Sequence, residues 1–342
     1  MEAVLNRIIV LGGLGQFGRT AAEQLRLFAL PVEIGGRRTP ADVLVDANDP
    51  ASIRSALRAG DIVVDAAGPF YTRSTALIEA ATEIGFDVID INDNLRYAEA
   101  VLSLQPRIAD AGIRVLSSAS SVSAVAAAVV THSGVSSPQK LTAFLAPASR
   151  HTANAGAARS LIRSVGRPVR VFCDGRLQER IGWTESQTFR MPPPIGTIHG
   201  RLFESADAIY LPRIWPTLRD VAMYVDTNTP GVNALLQLAA SVPATRMLLD
   251  SQARMGTWIA RKFGSAAGGI GYDIEDADGR ITRYAIVASK NSFITAVAPA
   301  VLAVRAIAEV RFSDRGLVLP NRHVEPARLF DFLQSAGLTI MS

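Results

Sequence analysis

A glycine pattern near the start of the chain has the spacing that binds phosphate. Gly13, Gly15 and Gly18 form G-x-G-x-x-G after an apolar run. Here the first glycine allows a tight turn, the second lets a pyrophosphate approach the backbone, and the third lets helix and strand pack closely. The free N–H groups of the following helix would bind the phosphates, although a purely structural turn also fits. The segment predicted to hold a dinucleotide is Gly13, Leu14, Gly15, Gln16, Phe17 and Gly18.

The end of the second predicted strand distinguishes NAD from NADP. An NAD site carries an acid there, about 20 residues after the glycines, which binds the ribose 2′-hydroxyl. This chain has Arg37 and Arg38 at that position, and Glu33 lies too early, within the strand. Arginine forms paired charge-assisted bonds to a 2′-phosphate. We therefore predict NADP as the cofactor, the alternative being two solvated surface arginines.

A second segment is predicted to lie near the nicotinamide. Gly68, Pro69 and Phe70, followed by Tyr71, come directly after the fourth predicted strand. In an open parallel sheet, ligands bind beyond the carboxyl ends of the strands. The glycine and proline fix the backbone there, whereas Phe70 also fits a purely packing role. We predict that the first three residues contact the cofactor.

Acid–base candidates end the fourth and fifth predicted strands. Asp90, Asn92 and Asp93 follow the fifth strand at the same predicted edge as Tyr71. Hydride transfer to an iminium needs a nearby carboxylate or hydroxyl that manages the proton. We predict Tyr71 or Asp93 for this role, while a structural helix-capping role fits Asp90 equally well. Asp65 ends the fourth strand without an evident function.

A basic segment farther along the chain is a candidate carboxylate site. Arg150 and His151 precede Asn154, and the run from Asn154 to Arg159 resembles a loop that enters a helix. A helix N-terminus and arginine side chains together can hold a substrate carboxylate. We predict that Arg159 binds the carboxylate, with a solvated basic face as the alternative.

Several other chemistries lack their sequence signatures. Cys173 is the only cysteine, and the four histidines form no His-x-x-x-His pair, so no metal site is predicted. None of the three lysines has a tyrosine four residues before it, which excludes a tyrosine–lysine proton donor. The net charge is +4, but the basic residues are scattered among 31 acids, so nucleic acid is not an expected partner. The surplus favours an anionic ligand.

The elements that position these residues alternate between strand and helix. Residues 7–11 form a β-branched apolar run that predicts a buried strand, and the spacing of Phe17, Ala21, Leu25 and Phe28 predicts a helix after the glycines. Further strands are predicted at 32–34, 43–45, 62–64, 88–91 and 114–116, with helices from Pro50, over 74–83 and over 97–109. This alternation over about 120 residues predicts a doubly wound parallel sheet.

The pattern changes after about Gly134. Residues 141–147, 169–172, 186–190 and 220–226 predict strands separated by loops rather than by regular helices, and 271–275 pairs with 280–288 around an Asp-Gly turn. We therefore predict a dinucleotide-binding domain over 1–125, completed by about 292–342. The α+β domain inserted over 135–290 would bind substrate and form a dimer.

Size and hydropathy agree with a folded enzyme outside the membrane. The chain has 342 residues, 49% hydrophobic and 19% charged, enough for two packed units. The longest apolar stretch, 294–310, is interrupted by Pro299, Arg305 and Glu309, so no membrane span is predicted. The first residues lack the basic start and cleavage site of a signal peptide, and we expect a cytoplasmic protein.

Three motifs resemble the saccharopine dehydrogenase (saccharopine reductase-like) family. They are 10–18 (VLGGLGQFG), 67–71 (AGPFY) and 87–93 (DVIDIND). The resemblance extends over about 7–125 and is weaker in 272–288 and in the C-terminal helix. It implies a Rossmann domain, an inserted substrate and dimerisation domain, and NAD(P)-linked reduction of a C=N bond or its reverse. Serines at 117, 118, 120 and 121 replace the glycine-proline turn that often follows the sixth strand in the family.

The combined prediction is an NADP-dependent oxidoreductase. We expect it to reduce an imine formed from an amine and an oxo acid, or to oxidise the corresponding secondary amine. A C=C or carbonyl reductase on the same scaffold and a non-catalytic NADP-sensing protein are the alternatives. The expected partners are a carboxylate-bearing small molecule and a second copy in a homodimer.

Overall fold

The computed structural model describes residues 6–242 and 252–342. It divides into two compact units, one containing residues up to 128 together with 294–329, and the other containing 129–293 together with 330–342. Residues 1–5 of the first predicted domain and 243–251 of the second lie outside the described part.

The first unit is built on a seven-stranded parallel sheet. Its order is β15-β6-β5-β4-β1-β2-β3, so the chain reverses direction across the sheet between β1 and β4. This order and the covering helices confirm the predicted doubly wound α/β fold. The strands are β1 (Ile8–Leu11), β2 (Val32–Gly36), β3 (Val43–Leu44), β4 (Ile62–Asp65), β5 (Asp87–Asp90), β6 (Arg114–Leu116) and β15 (Gly316–Val318).

Helices bury the faces of this sheet. The helices are α1 (Gln16–Leu27), α2 (Pro50–Ala56), α3 (Ala76–Ile84), α4 (Leu95–Ser103), α5 (Gln105–Ala111), α6 (Ala124–Ser133), α12 (Ala298–Ala308) and α13 (Pro326–Ser335), of which α6 and α13 continue into the second unit. Asp49 caps α2 by accepting from the Ala51 N–H, and Pro50 starts the helix. The single helix predicted over 97–109 is instead two helices, because Pro106 lacks the N–H that a continuous helix needs.

Register aligns the ends of the central strands. Leu11 pairs with Gly35 on one side and with Asp65 on the other, and Asp65 pairs with Asp90. The residues of β1, β4 and β5 are all buried, as expected for a parallel sheet that helices cover on both faces. The segments that follow β1, β4 and β5 therefore leave the sheet at one common edge.

The second unit contains a nine-stranded mixed sheet. Seven strands follow the order β10-β11-β12-β7-β13-β14-β16, and β8 and β9 extend from β12. The predicted hairpin is confirmed, with β13 and β14 antiparallel and Gly279 at a φ of +76° in the turn. The strands are β7 (Pro138–Ala146), β8 (Pro168–Cys173), β9 (Arg176–Ile181), β10 (Ser186–Arg190), β11 (Thr197–Phe203), β12 (Asp220–Val225), β13 (Gly268–Asp276), β14 (Ile281–Ala288) and β16 (Thr339–Met341).

Two features of this unit differ from the prediction. The strands are separated by helices as well as loops, namely α7 (Ser149–Thr152), α8 (Ala155–Ser164), α9 (Asp207–Ile214), α10 (Val232–Ser241) and α11 (Ala253–Phe263). The C-terminal residues 330–342 were predicted to complete the first domain, but β16 pairs with β14 and so belongs to the second sheet. Within the described residues, no helix combines the length and apolarity needed to cross a bilayer.

Candidate functional site

The glycine loop, residues 12–18, follows β1 and includes the first residues of α1. Gly12 donates its N–H to the Gly35 carbonyl, and the Gly15 N–H bonds back to the Gly12 carbonyl. Gly12 has a φ of +71°, and the turn extends over Gly12, Gly13 and Leu14. Gly15 caps α1 without any side-chain hydrogen bond, which leaves the first N–H groups of the helix to a ligand or solvent.

The space around each glycine tests whether this loop suits a pyrophosphate. A Cβ on Gly18 would lie 2.4 Å from the Gly12 carbonyl oxygen, and one on Gly13 would lie 2.8 Å from the Ile34 side chain. A Cβ on Gly15 would meet only the Gly12 oxygen, at 3.2 Å. Gly13 and Gly18 are therefore packing positions, whereas Gly15 presents an exposed backbone. An uncapped helix N-terminus beside exposed backbone fits a bound dinucleotide.

Arg37 and Arg38 directly follow β2 and are exposed. Neither guanidinium has an ion-pair partner within the described residues. Glu33 lies in the body of β2, where it pairs with Ile9 in register and forms a 3.6 Å ion pair with Arg7. Glu33 is thus occupied away from the end of the strand, and the basic pair is the charge that β2 presents at its carboxyl end.

A buried ion pair closes the loop after β4. Asp65 and Arg73 are 0% and 4% exposed at their side chains, and an Arg73 nitrogen donates to Asp65 Oδ2 at 2.6 Å. The other Asp65 oxygen accepts from the Ala67 N–H. The segment Gly68–Tyr71 lies between these two anchors. This pair explains Asp65, to which the sequence assigned no function.

Phe70 has the packing role that the sequence left open. Its ring is 6% exposed in the core of the first unit and lies 5.3 Å from the Tyr97 ring. Gly68 is exposed, and Pro69 and Tyr71 are half-buried. Contacts of Gly68, Pro69 and Phe70 with the cofactor stay predictions.

Asp90 is the centre of a buried polar cluster next to Asp65. Its Oδ1 accepts from the Asn92 N–H at 3.0 Å, the Ser118 N–H at 2.8 Å and the Ser117 hydroxyl at 3.2 Å. Its Oδ2 is buried and has no hydrogen-bond partner within the described residues. Burial raises the pKa of Asp90 to about 7, although the donated hydrogen bonds oppose this and the neighbouring Asp65 charge adds to it. Asp90 thereby ties the segment after β5 to the segment after β6.

Asp93 directly follows Asn92 and differs from Asp90 in exposure. Asn92 is buried and accepts the Asn94 N–H, and this turn leaves the Asp93 side chain exposed. The protein around the Asp93 carboxyl nevertheless desolvates it and raises its pKa. An accessible carboxyl that holds its proton to higher pH than usual is suited to acid–base chemistry. Asp93 and Tyr71 both follow strands that end at the same sheet edge.

The predicted carboxylate residues lie in the second unit. Arg159 is exposed on α8, a helix that Asn154 caps through the Ala157 N–H. Arg150 instead has a structural contact, since its Nε donates to the Gly264 carbonyl at 3.2 Å. His151 is exposed on α7. The binding role of Arg159 stays a prediction.

Sequence reasoning missed several members of the polar cluster. Arg73, Ser117 and Ser118 were given no role, yet all three contact Asp65 or Asp90. Ser118 also has a φ of +61°, a backbone conformation that non-glycine residues rarely adopt. The replacement of a glycine-proline turn by serines was the signal that could have identified this segment.

Comparisons with known proteins agree with the fold and with the cofactor. Residues 29–116 match the family model described as the saccharopine dehydrogenase NADP binding domain. The fold resembles apo saccharopine dehydrogenase (L-Glu forming) from Saccharomyces cerevisiae, with a TM-score of 0.62 and 12% identity over 98% of this chain and 99% of that chain. No curated protein sequence matches this chain.

Two further solved structures cover most of the chain with lower scores. GenD2 from gentamicin A biosynthesis, in complex with NAD, has a TM-score of 0.41 and 13% identity over 100% of this chain and 98% of that chain. A mutant of meso-dapdh with DAP, from Clostridium tetani E88, has a TM-score of 0.42 and 12% identity over 91% of this chain and 92% of that chain.

The family match confirms the resemblance inferred from the motifs and the prediction of NADP. Its first matched residue follows the glycine loop, and its last residue ends β6, so it includes Arg37, Arg38, Asp65 and Asp90. Residues 29–116 are therefore similar to the NADP binding domain of saccharopine dehydrogenase, and the chain has a saccharopine dehydrogenase-like fold. Together these findings support an NAD(P)-dependent oxidoreductase.

Proposed function

We propose that this oxidoreductase uses NADPH to reduce a C=N bond formed from an amine and an oxo acid, or catalyses the reverse oxidation. The observation that carries the proposal is Asp93, an accessible carboxyl with a raised pKa at the sheet edge where the glycine loop also lies. Reduction of an imine needs a proton on nitrogen as well as a hydride on carbon. A carboxyl whose pKa is raised by desolvation keeps its proton to higher pH than an ordinary aspartate, and such a group meets this need.

The proposed chemistry assigns one role to each group. The Asp93 carboxyl protonates the imine nitrogen and, once ionised, stabilises the iminium cation electrostatically. NADPH, when bound, supplies the hydride to the carbon of the C=N bond. The product is a secondary amine, and the exposed Asp93 regains its proton from solvent. The Tyr71 hydroxyl is the alternative proton donor, and its half-buried position at the same edge supports that alternative.

Each remaining group of the proposal binds an anion. Arg37 and Arg38 would hold the 2′-phosphate, and Gly13 to Gly18 the pyrophosphate. Arg159, an exposed arginine in the first half of α8, would bind the substrate carboxylate. This assignment requires a substrate that carries both an imine and a carboxylate, as a condensed oxo acid does.

Loss of NADPH absorbance with purified protein tests the reaction type. Mixtures of amines and oxo acids are compared with each component alone, with carbonyl compounds and with enoyl compounds, while NADPH binding is followed by fluorescence. We expect oxidation only when amine and oxo acid are both present, with deuterium passing from labelled NADPH to the new C–H bond. Turnover of an enoyl or carbonyl compound alone would establish the alternative reductase, and binding without turnover would establish a sensor.

Substitutions test the proton donor once a substrate is known. Asp93→Asn and Tyr71→Phe each remove one transferable proton, and loss of the true acid lowers kcat by roughly 10² to 10⁴-fold with NADPH affinity nearly unchanged. Asp110→Asn makes the same charge change at an exposed position on α5 and serves as the control. Wild-type kcat in both site variants would remove these residues from the mechanism.

We also propose a homodimer formed through the 135–290 domain. Strand β10 ends the second sheet and alternates exposed and covered residues, so its outer backbone groups are available to a symmetric partner. Light scattering at micromolar concentration tests this, with twice the chain mass as the expected result. The mass of one chain would contradict it.

A further inference from the structure

Four helices of the second unit carry no acid, and three of them, α7, α8 and α11, carry basic residues. Within their bounds, α7, α8, α10 and α11 contain no Asp or Glu, in a chain with 31 acids. The basic side chains on them are Arg150, Arg159, Arg163, Arg254, Arg261 and Lys262. Within the bounds of these helices, the charge is therefore of one sign only.

These helices pack together as one group. Helix α11 contacts both α7 and α8. Helix α10 joins the group through Leu236, which packs in a small core with Val165 and Leu161 of the α8 region. The name "basic helix group" is used below for α7, α8, α10 and α11.

Large apolar side chains of the same group point to solvent. Leu235 and Leu238 on α10 are 56% and 60% exposed, and Trp258 on α11 is 57% exposed. Phe263 is exposed as well, and its ring meets the Trp258 ring edge to face at 6.2 Å, with the Lys262 ammonium 5.1 Å from the centre of the Trp258 ring. Exposed apolar side chains that lie against one another, as Trp258 and Phe263 do, mark a surface that binds something apolar.

The charge of the group argues against a second copy as the occupant. A symmetric interface would bring the same basic helices together, and they carry no acid that could pair with the arginines. Like charges brought together across an interface cost several kcal/mol. The occupant must therefore supply negative charge together with an apolar environment.

We propose that the basic helix group docks the protein on an anionic lipid surface. Helices with aromatic and leucine side chains on one face and Arg or Lys beside them lie in the plane of a membrane interface. Trp258 would sit at headgroup level, where an indole has apolar and polar neighbours. Lys262 and Arg254 would reach the lipid phosphates while their alkyl chains cover apolar surface. This is a surface contact without a membrane span.

Vesicles test the proposal with the full-length protein. Co-sedimentation is measured with equimolar phosphatidylglycerol and phosphatidylcholine vesicles and with pure phosphatidylcholine vesicles, at low and high salt. We expect binding to the anionic vesicles, weakened by salt, and a blue shift of tryptophan emission that Trp258→Phe removes. The other two tryptophans are less exposed, Trp183 fully buried and Trp215 half-buried.

Paired variants distinguish lipid binding by the basic helix group from an effect of the protein's overall positive charge. Each basic residue near an anionic surface contributes about five-fold to binding, so Arg254→Gln/Lys262→Gln should bind roughly 25-fold more weakly. The control Arg176→Gln/Arg280→Gln removes the same charge from exposed positions outside the group and should bind as wild type does. Leu235→Ser/Leu238→Ser should abolish the emission shift, whereas Ile281→Ser, 47% exposed on β14, should not.

Three results would overturn the proposal. The first is no sedimentation of wild type with anionic vesicles. The second is equal weakening in the glutamine pair and its control. The third is self-association, or binding of an acidic polypeptide such as polyglutamate in place of vesicles, that the two leucine substitutions abolish. Circular dichroism and urea unfolding of each variant check that any loss of binding is not a loss of folding.

Discussion

The glycine loop and the Asp65–Asp90 cluster lie at the same edge of one sheet but are built in opposite ways. The loop is formed by backbone, and its shape depends on positions such as Gly12 and Gly18 where a side chain has no room. The cluster is formed by buried side chains, with one ion pair, Asp65–Arg73, and one carboxyl, Asp90, that has an unpartnered oxygen.

This difference predicts how each region responds to change. Backbone N–H groups do not titrate, so we expect the proposed phosphate binding by the loop not to depend on titration of the loop itself. Buried carboxyls are sensitive to pH and to loss of a partner, because an unpaired charge in the interior is costly. Substitutions in the loop should therefore act through the size of the new side chain, and substitutions in the cluster through its charge.

The largest effect is expected for Arg73→Ala. The substitution leaves Asp65 as an uncompensated buried charge, which destabilises by about 3–5 kcal/mol. Arg54→Ala is the control, because its partner Glu83 is exposed and also pairs with Arg107, and exposed pairs contribute at most about 1 kcal/mol. Urea unfolding measures both. Similar losses in the two variants would mean that the buried pair contributes no more than a surface pair.

The second prediction concerns Asp90 and pH. Its folded pKa of about 7 lies above the ordinary value of 3.8, so its contribution to stability is full below pH 3.8 and is lost as pH rises through 7. Asp90→Asn has no such dependence. From about pH 5 to pH 8, the variant should gain on the order of 2–3 kcal/mol in unfolding free energy relative to wild type. Parallel pH curves for the two proteins would show that Asp90 does not titrate there.

His323 provides a control of opposite sign in the same unit. Burial lowers its pKa to about 4, against a hydrogen bond with the Val318 carbonyl that opposes the shift, and its Nδ1 is buried without a partner among the described residues. A folded pKa below the ordinary 6.5 gives stability that is present above pH 6.5 and lost as pH falls toward 4. As pH falls, the unfolding free energy of His323→Gln should therefore rise relative to that of wild type, whereas that of Asp90→Asn should fall relative to wild type.

The loop is built from residues close in sequence and the cluster from residues far apart, and this difference decides which of the two could be predicted from the sequence. The loop and the strands around it depend on local spacing, and they were predicted from it. Arg73 was missed because its partner Asp65 is brought near only after the intervening loop turns back. Helix α11 was missed because large apolar residues such as Trp258 face solvent, so its pattern does not match that of a helix covering a core.

The preference for NADPH over NADH tests the role assigned to the two arginines that follow β2. If Arg37 or Arg38 holds the 2′-phosphate, Arg37→Ala or Arg38→Ala removes a charge-assisted contact of about 1.5–3 kcal/mol, roughly ten-fold to a hundred-fold in NADPH affinity. NADH affinity should barely change, because NADH lacks that phosphate. Fluorescence titration with both cofactors measures the ratio. Equal weakening for the two cofactors would contradict the assignment.

The smallest expected effects come from alanine substitutions at two glycines of the loop, one with a packing role and one with a proposed binding role. Ala at position 18 gains about 1 kcal/mol of helix propensity, but its Cβ would lie 2.4 Å from the Gly12 oxygen and 2.9 Å from the Gly13 Cα. Overpacking costs on the order of 1–3 kcal/mol, so Gly18→Ala should be destabilising by urea unfolding. Gly15→Ala meets only one atom, at 3.2 Å, and should unfold nearly as wild type does while binding NADPH more weakly. If Gly15→Ala binds NADPH normally, the pyrophosphate does not approach the backbone at this glycine, and the loop would be a structural turn.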